Sequence, residues 1–566
     1  MQAWKRVAMV WFAALVIVAG CASPASTSRP AGGGDQGGAP GRQGPPKKVT
    51  AAMMGNPPAA IEKVLGGGSG GRVPGMDALE QVVGGALAVR SEKGVLIPRL
   101  ADAVPSIENG LWKVFPDGHM ETTWRIHDGV RWHDGTPMTS EDFVFSALIE
   151  QDKDLPIERN PAWNMVSRIE APDPRTVTVV WKSAFIEADD FYSRPIFPKH
   201  LLEKAFGENK DAFFGLPYWN EQYVGAGPYR IQEWVRDSHV ILRAYDAYVP
   251  GKPKIDEIEL RFLADENAFM ANILADTVDM TLGKSITLEQ TLQVKEQWRG
   301  GRIETQAETA MKIWPQFVNT NPAVVTDVRF RKAMMYAMNR QEMVDGIMSG
   351  LSTIAHTMIL PDEPELAEVD SALVKYEYDP RRAAQLIEGI GYAKGPDSMY
   401  RDGAGVPLRV EISATAEDQN TKPMFAVADY WQKLGVGVDT VVIPTQRQRD
   451  REYRATFPGF TLQGGGSGVL AIKASHGSQA RLPENSYTGS NYSRYQNPEF
   501  DALIDRFLMT IPHQPRMEAL RAVVAHMTDQ LSMMNIYYAM SSTMLSNRLV
   551  AGRFPSWNIH EVDVKS

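Results

Sequence analysis

Cysteine is almost absent from this chain: Cys21 is the only one in 566 residues. A single thiol excludes an intramolecular disulfide, a multi-thiolate zinc site and a catalytic cysteine pair. A basic excess is missing too. The formal charge is −9, which argues against a phosphate-backbone partner, because such partners select basic surfaces; no nucleic acid is expected. The apolar run from Val7 to Val18 is too short for a comfortable membrane span and has the length of a signal-peptide core. One further absence is local. Thr456 to Pro483, TFPGFTLQGGGSGVLAIKASHGSQARLP, contains no Asp or Glu.

What is present begins with a leader. Lys5 and Arg6 are the only charges in the first twenty residues, so the chain without them carries −11. The run ends in Val18-Ala19-Gly20-Cys21, which resembles a bacterial lipobox, with Cys21 as the lipidated residue. Residues 1–20 then read as a lipoprotein signal peptide. Residues 21–48 have almost no apolar bulk, cannot offset the entropy of ordering, and read as a flexible tether. The remainder is too long for one core, and with 43% hydrophobic residues it can bury two or three substructures.

The densest local signals lie in Glu121 to Ala147, ETTWRIHDGVRWHDGTPMTSEDFVFSA. Trp124, Ile126, Val130 and Trp132 are strand formers. The triplets His127–Gly129 and His133–Gly135 punctuate them as turns, because glycine permits positive φ and aspartate bonds its own backbone. The pattern predicts a hairpin. After Pro137, Thr139 reads as a helix N-cap with Asp142 closing a capping box. VTAAMM from Val49, RTVTVVW from Arg175, and IQEWV and HVILRAY after the turn at 223–230 read as strands, so this half is sheet-rich. Asp265 to Asp279 reads as an amphipathic helix. A strand over Ile313 to Asn319, with Pro315 inside it, precedes a change of texture. Helices are predicted over Asp327 to Met348, Pro380 to Ile390 and Met424 to Leu434, with Gly435 as a cap and GVDTVVI as a strand. Helices over Pro498 to Leu508 and Pro515 to Leu531 follow, then a strand from Asn535. The alternation implies an α/β layer domain.

Some patterns look chemical and have plainer explanations. GGGSGG (66–71) matches a dinucleotide loop and a nucleophile elbow around Ser69, but Arg72-Val73-Pro74-Gly75 stands where a helix is needed. Met334, Met335, Met338 and Met343 recur at helical spacing and read as core. The His-Asp pairs of the two HDG triplets read as turns and not as a metal site. Arg329 and Arg331 read as helix and domain-packing charges.

Taken in order, several motifs carry a resemblance. They are Leu96-Ile97-Pro98 with Leu100-Ala101-Asp102; WRIHDGVRWHDGTPMTSEDFVFS; Gly225-Ala226-Gly227-Pro228-Tyr229; DVRFRKAMMYAMNR (327–340); Asp379-Pro380-Arg381-Arg382-Ala383; and Asn491-Tyr492-Ser493 with Asn497-Pro498-Glu499-Phe500-Asp501. This set resembles the extracytoplasmic solute-binding proteins, family 5, of ABC importers for peptides, nickel and opines. The family's Gly-Thr-Gly-Pro-Tyr is Gly-Ala-Gly-Pro-Tyr here, and its Ala-Asp-Arg-like helix end is Met338-Asn339-Arg340. The resemblance implies an α/β, two-lobed periplasmic-binding-protein-like fold of type II, in the large peptide-binding class, with hinge strands between the lobes. Lobe I is expected over 49–310 plus 536–566, and lobe II over 311–535. It also implies a monomer held to the membrane by lipid on Cys21, outside the cytoplasm, that passes its solute to an ABC permease and its ATPase subunits. Catalytic residues, cofactors and metals are not expected. Two other readings stay open: an exported serine hydrolase using Ser69 or Ser467, and a sensory or structural lipoprotein on the same fold.

In peptide-binding relatives, a Trp and an Asp in the segment resembled by Phe460 to Ser478 hold the peptide and its amino terminus. The acid is missing here. A buried cation needs a paired anion, so Glu417 or Asp418 from another loop would have to substitute. The segment instead offers Gln463, Gly464, Gly465, Gly466, Ser467, Ser475, His476 and Ser478, whose N–H groups and hydroxyls favour an anionic or neutral polar ligand. Trp314, Trp219, Tyr487 and Tyr492 are the expected cleft aromatics. The predicted ligand is a peptide-like or other polar organic solute with an apolar face. The alternative for the glycines is a mobile loop.

Overall fold

Val49, Ala51, Ala52 and Met53 do not alternate with polar residues because their strand is buried on both faces. That strand, Lys48–Met54 (β1), pairs in parallel with Glu257–Leu263, from Lys48↔Glu257 to Met54↔Leu263. The structure, a computed structural model, describes residues 45–565 except 62–74, 92, 153, 156–160, 195, 211, 264, 284–285, 449 and 554. The leader, Cys21, most of the tether and Ser69 lie outside the described residues. No helix among the described residues is long and apolar enough to cross a membrane.

Met120–Arg125 (β2) is the first strand of the signal-rich stretch. The HDG turns form, with φ of 81° at Gly129 and 91° at Gly135. The predicted hairpin does not. Both edges of β2 are already taken, by Trp112–Val114 on one side and Thr176–Trp181 on the other, so Val130 to Trp132 does not pair with it and makes one antiparallel bridge, Arg131 with Pro137, across the second HDG turn. Those residues bond locally instead: the Trp132 N–H donates to Thr136 O at 2.9 Å. The helix that follows, Ser140–Gln151 (α1), starts as its capping signal predicts, with the Thr139 N–H donating to Asp142 Oδ2 at 2.8 Å.

The second HDG triplet explains the Gly-Ala-Gly-Pro-Tyr motif. The His133 N–H donates to Gly225 O (2.8 Å), its Nδ1 accepts the Gly225 N–H (3.3 Å), and its Nε2 donates to Gly227 O (3.0 Å). Side chains are excluded at both glycines. A Cβ at Gly225 would lie 2.0 Å from Val83 O, and one at Gly227 2.5 Å from Gly84 O.

Gly301–Pro315 (β3) is longer than predicted and ends at Pro315, which has no N–H to continue the ladder. Val328–Tyr336 (α2) buries Met334 and Met335 as core. Asp418–Leu434 (α3) begins six residues before the predicted Met424, with Pro423 inside it, and closes on Gly435 at φ 108° as expected. Phe460–Gln463 (β4), Pro498–Met509 (α4), His513–Gln530 (α5) and Met534–Ser546 (β5) complete the frame.

Ten strands form one sheet. Its order is Gly437–Ile443, Arg409–Thr415, β4, β3, β5, Met280–Thr281, β1, Glu257–Leu263, His239–Ala244 and Tyr229–Val235. At its centre β3 runs antiparallel to β5 from Gly301↔Ser546 to Ile313↔Met534. One core gathers Val49, Leu260 and Leu545; another gathers Met311, Ile313, Met334, Trp431 and Ile536. The four-stranded sheet around β2 has a core of its own, with Trp124 and Trp181, that continues into Trp314, Ile472, Phe500 and Leu520.

Arg331 is buried among carbonyls, bonding Val325 O at 2.9 Å and Gln530 O at 2.7 Å, while Arg329 pairs with Asp327 at the helix start. Arg331 is a packing charge and Arg329 an exposed charge at the helix start.

Burial holds His133 down at about 4, and His356 and His560 at about 4 as well. A histidine whose folded pKa lies below its unfolded value contributes stability that is complete above the unfolded pKa and lost as pH falls toward the folded one. Urea melts are therefore expected to lose stability as pH drops from about 6.5 to about 4, with His133 supplying on the order of 3 kcal/mol. A His133→Asn variant should be less stable at neutral pH and show a flatter slope; an unchanged slope would contradict this role.

Candidate functional site

Lys312 is the only charge in Ala310 to Pro315 (AMKIWP), the buried end of β3, and its side chain is fully buried. The antiparallel register sets Lys312 opposite Gln463 and Trp314 opposite Thr461 on β4. Residues two apart on a strand, and those directly opposite across a ladder, share a face. Lys312, Trp314, Gln463 and Thr461 therefore point to the same side. Lys312 Nζ donates to Gly465 O (3.1 Å), Gly466 O (2.8 Å) and Ser467 Oγ (3.1 Å). All three acceptors are neutral, and no carboxylate among the described residues forms an ion pair with this ammonium. Burial pulls its pKa down to about 7.

The loop after β4 is moored to β3. Ser467 Oγ accepts the Ala310 N–H at 2.9 Å, and Thr309 Oγ1 donates to Gly465 O at 2.5 Å. Gly464 packs beside Thr309 and Met311. The expected nest of N–H groups is not the arrangement found: Gly465 and Gly466 turn their carbonyls on Lys312, because a desolvated ammonium without an anion takes the nearest oxygens.

Aromatic rings border the same face. Trp314 and Tyr492 lie 5.4 Å apart between centroids. The Arg481 guanidinium stacks 3.6 Å from the Tyr492 ring centroid, and that of Arg454 lies 5.9 Å away. Arg454 also donates to Gln463 Oε1, which leaves Gln463 Nε2 without a partner; Trp314 Nε1 is buried and unpartnered too.

Of the residues named from sequence, Trp314, Gln463, Gly464, Gly465, Gly466, Ser467 and Tyr492 come together around Lys312. Others do not. His476 Nδ1 accepts the Ser478 N–H at 3.0 Å, and its Nε2 lies 3.6 Å from Asp505 on α4. Ser475 is buried nearby, its carbonyl accepting from Asn491 at 3.2 Å. The Tyr487 hydroxyl donates to Glu452 at 3.1 Å. Trp219 is a correction: it is fully buried in the core with Val49 and Leu260, its indole N–H satisfied by Phe213 O at 2.6 Å, so it lines no cleft. Glu417 caps α3 and accepts from Asn420, while Asp418 pairs with Lys422 at 3.2 Å. Lys312, Arg454 and Arg481 escaped the sequence reading, although a lone lysine in an otherwise apolar strand end was a visible signal.

Comparison with known proteins decides the family. The family model described as "Bacterial extracellular solute-binding proteins, family 5 Middle" matches residues 97–470. The chain belongs to this family. It is 26% identical over 352 residues to a Deinococcus radiodurans protein named "Probable ABC transporter-binding protein", an alignment spanning 57% of this chain and 58% of that one. Among solved structures, the oligopeptide-binding protein of Thermus thermophilus complexed with a pentapeptide matches with TM-score 0.67 at 21% identity, covering 91% of this chain and 96% of that one. NikZ from Campylobacter jejuni in complex with Ni(L-His) matches with TM-score 0.69 at 18% identity, covering 92% and 100%. This family 5 protein thus has the expected two-lobed α/β fold, and its relatives are binding proteins.

A lysine whose folded pKa is lowered gives its protein more stability as pH rises from the folded to the unfolded value. Lys312→Met should therefore stand best against wild type near pH 7 and lose that advantage, on the order of 4 kcal/mol, as pH rises toward about 10. Chemical denaturation at stepped pH measures the difference; parallel curves for the two proteins would contradict an uncompensated buried amine.

Proposed function

We propose that this family 5 protein is the solute-capturing component of an ABC importer, holding a peptide-like or other polar organic solute against the shared face of β3 and β4. The observation that carries the reading is the meeting of Lys312 and Trp314, on a strand that passes between the two halves of the large sheet, with Gln463 on β4 and Tyr492. The relatives that bind a pentapeptide and Ni(L-His) support a polar organic ligand. The lobe boundaries fall at 310/311 and 535/536. Met311 packs with Met334 on one side, and Leu545 packs with Val49 on the other. Closing the cleft stabilises the bound state by the ligand's differential affinity for it, and a permease with its ATPase subunits reads that closure. Lipid on Cys21 holds the monomer outside the cytoplasmic membrane.

Contacts across the two halves fit a closing latch. Lys473 Nζ pairs with Glu187 at 2.8 Å, and the Ile186 N–H donates to Leu508 O at 3.3 Å. The protein acts without catalysis. Ser467 Oγ has Thr309, Ala310 and Lys312 as partners and, among the described residues, no hydrogen-bonded imidazole; purified protein and Ser467→Ala are expected to show equally negligible ester turnover.

Denaturing the purified protein and identifying the released molecule by mass spectrometry tests the central reading. Returning that molecule at about 100 times its Kd should add roughly 2.7 kcal/mol of stability; a protein that stays free of small molecules and co-purifies with another protein would favour the sensory lipoprotein. For the latch, Glu187→Lys and Lys473→Glu should each weaken binding of the released molecule by up to about fivefold, as a half-exposed pair allows. The double exchange should restore it, and additive losses in calorimetry would rule the latch out.

A further inference from the structure

We propose that the solute is an acid: a carboxylate, or an equivalent oxyanion, sits on Lys312, Trp314 Nε1 and Gln463 Nε2, with Arg454 and Arg481 at the rim. This rests on the solute-binding reading above and names the chemistry it selects.

Hydrogen-bond polarity is the first argument. Trp314 and Gln463 are 4% and 9% exposed, and the buried atoms they leave unpartnered, Nε1 and Nε2, are both donors. Gln463 Oε1 already accepts from Arg454, which fixes the amide so that the group left without a partner is the Nε2 donor. An indole N–H has no acceptor capacity at all. Lys312, on the same face, already spends its three hydrogens on Gly465 O, Gly466 O and Ser467 Oγ, so the unmet groups here are donors and ask for oxygens. An amine would bring more hydrogens to them.

Charge is the second. Lys312 rests on three neutral oxygens, and Arg454 and Arg481 both lie on Tyr492 without a carboxylate of their own among the described residues. The nearby acids are engaged: Glu452 accepts from Tyr487 and Glu417 from Asn420. Thr456 to Pro483 contributes none. A cationic group entering here would be buried among cations, whereas an anion would complete them.

Space is the third. At Gly465, which is exposed, the position a Cβ would take lies 3.8 Å from Lys312 Nζ and 3.8 Å from Trp314 Cζ2. Its backbone is not left-handed, so glycine is not required there by conformation. The missing side chain leaves room beside the ammonium for an atom of the solute.

The test uses the full protein and native mass spectrometry with an equimolar mixture of acetyl-trialanine, trialanine amide, acetyl-trialanine amide, succinate and citrate. Retention of species bearing a free carboxylate, and not of trialanine amide, is expected. Gly465→Asp should place an internal carboxylate beside Lys312, raise the melting temperature of the ligand-free protein and weaken retention of the acids by at least about tenfold. Gly465→Asn, of the same size and uncharged, should weaken it less. Lys312→Met should abolish the preference for acids. Preferential retention of trialanine amide, or equal retention of the acid and amide peptides, would overturn the inference while leaving the solute-binding reading intact. Retention of nothing would count against both. Equal losses in Gly465→Asp and Gly465→Asn would reduce the effect to bulk and sink the argument from charge.

Discussion

The antiparallel ladder between β3 and β5 is the constraint on which the rest of the molecule depends. Among the described residues it is the only route by which the ten-stranded sheet passes from Arg409–Thr415 and β4 to β1 and its partners. One end of it, at Ile313↔Met534, is buried with the methionine-rich core, and the other, at Gly301↔Ser546, lies beside Leu545 and the core around Val49. Two hydrophobic cores are therefore joined through backbone hydrogen bonds whose direction is set by two strands. The candidate site stands beside that junction, and Lys312, Trp314 and Gln463 take their relative placement from strand register and not from loop conformation.

Buried cations show how differently the same problem is resolved in different places. Arg331 bonds Val325 O and Gln530 O, and Arg340 bonds Ala355 O, Asn535 O and Tyr376 O. Those carbonyls belong to packed elements, and the guanidinium forks tie them together as fixed parts of the core. Lys312 also has only neutral oxygens, but two of them come from exposed glycines. A compact ammonium with three rotatable donors is not held as a planar fork is. It can keep some of those contacts while taking a new one.

Much of the fold could be read in the residues themselves. The turns at Gly129 and Gly135, the cap at Thr139 with Asp142, the αL stop at Gly435 and the strand GVDTVVI (437–443) are local, and local chemistry decides them. The hairpin over Trp124 to Trp132 failed because its outcome is not local: β2 is sought by two other strands, from Trp112 and from Thr176, and neither competitor is visible within that window. Similarly, Trp219 and Trp314 carry the same ring, and only tertiary packing sends one into a core and the other to the shared face. For the candidate site, the acid-free stretch 456–483 is the one that carries Gln463 and the glycines beside Lys312. The lysine that gives that absence its meaning sits about 150 residues earlier on another strand, and pairing across a sheet cannot be read from spacing alone.

The β3–β5 ladder is not continuous. Its register slips between Ala307 and Thr309 and again between Ala310 and Lys312, and each slip removes pairing and adds local twist. A ribbon so interrupted yields first where it is interrupted, so torque between the two cores concentrates on a few peptide units ending at Lys312. Thr309 and Ala310 are also where the glycine loop is moored, through Gly465 and Ser467. Whatever shifts that loop therefore pulls directly on the compliant joint, and a solute in the site proposed above would need no relay to reach the place that bends.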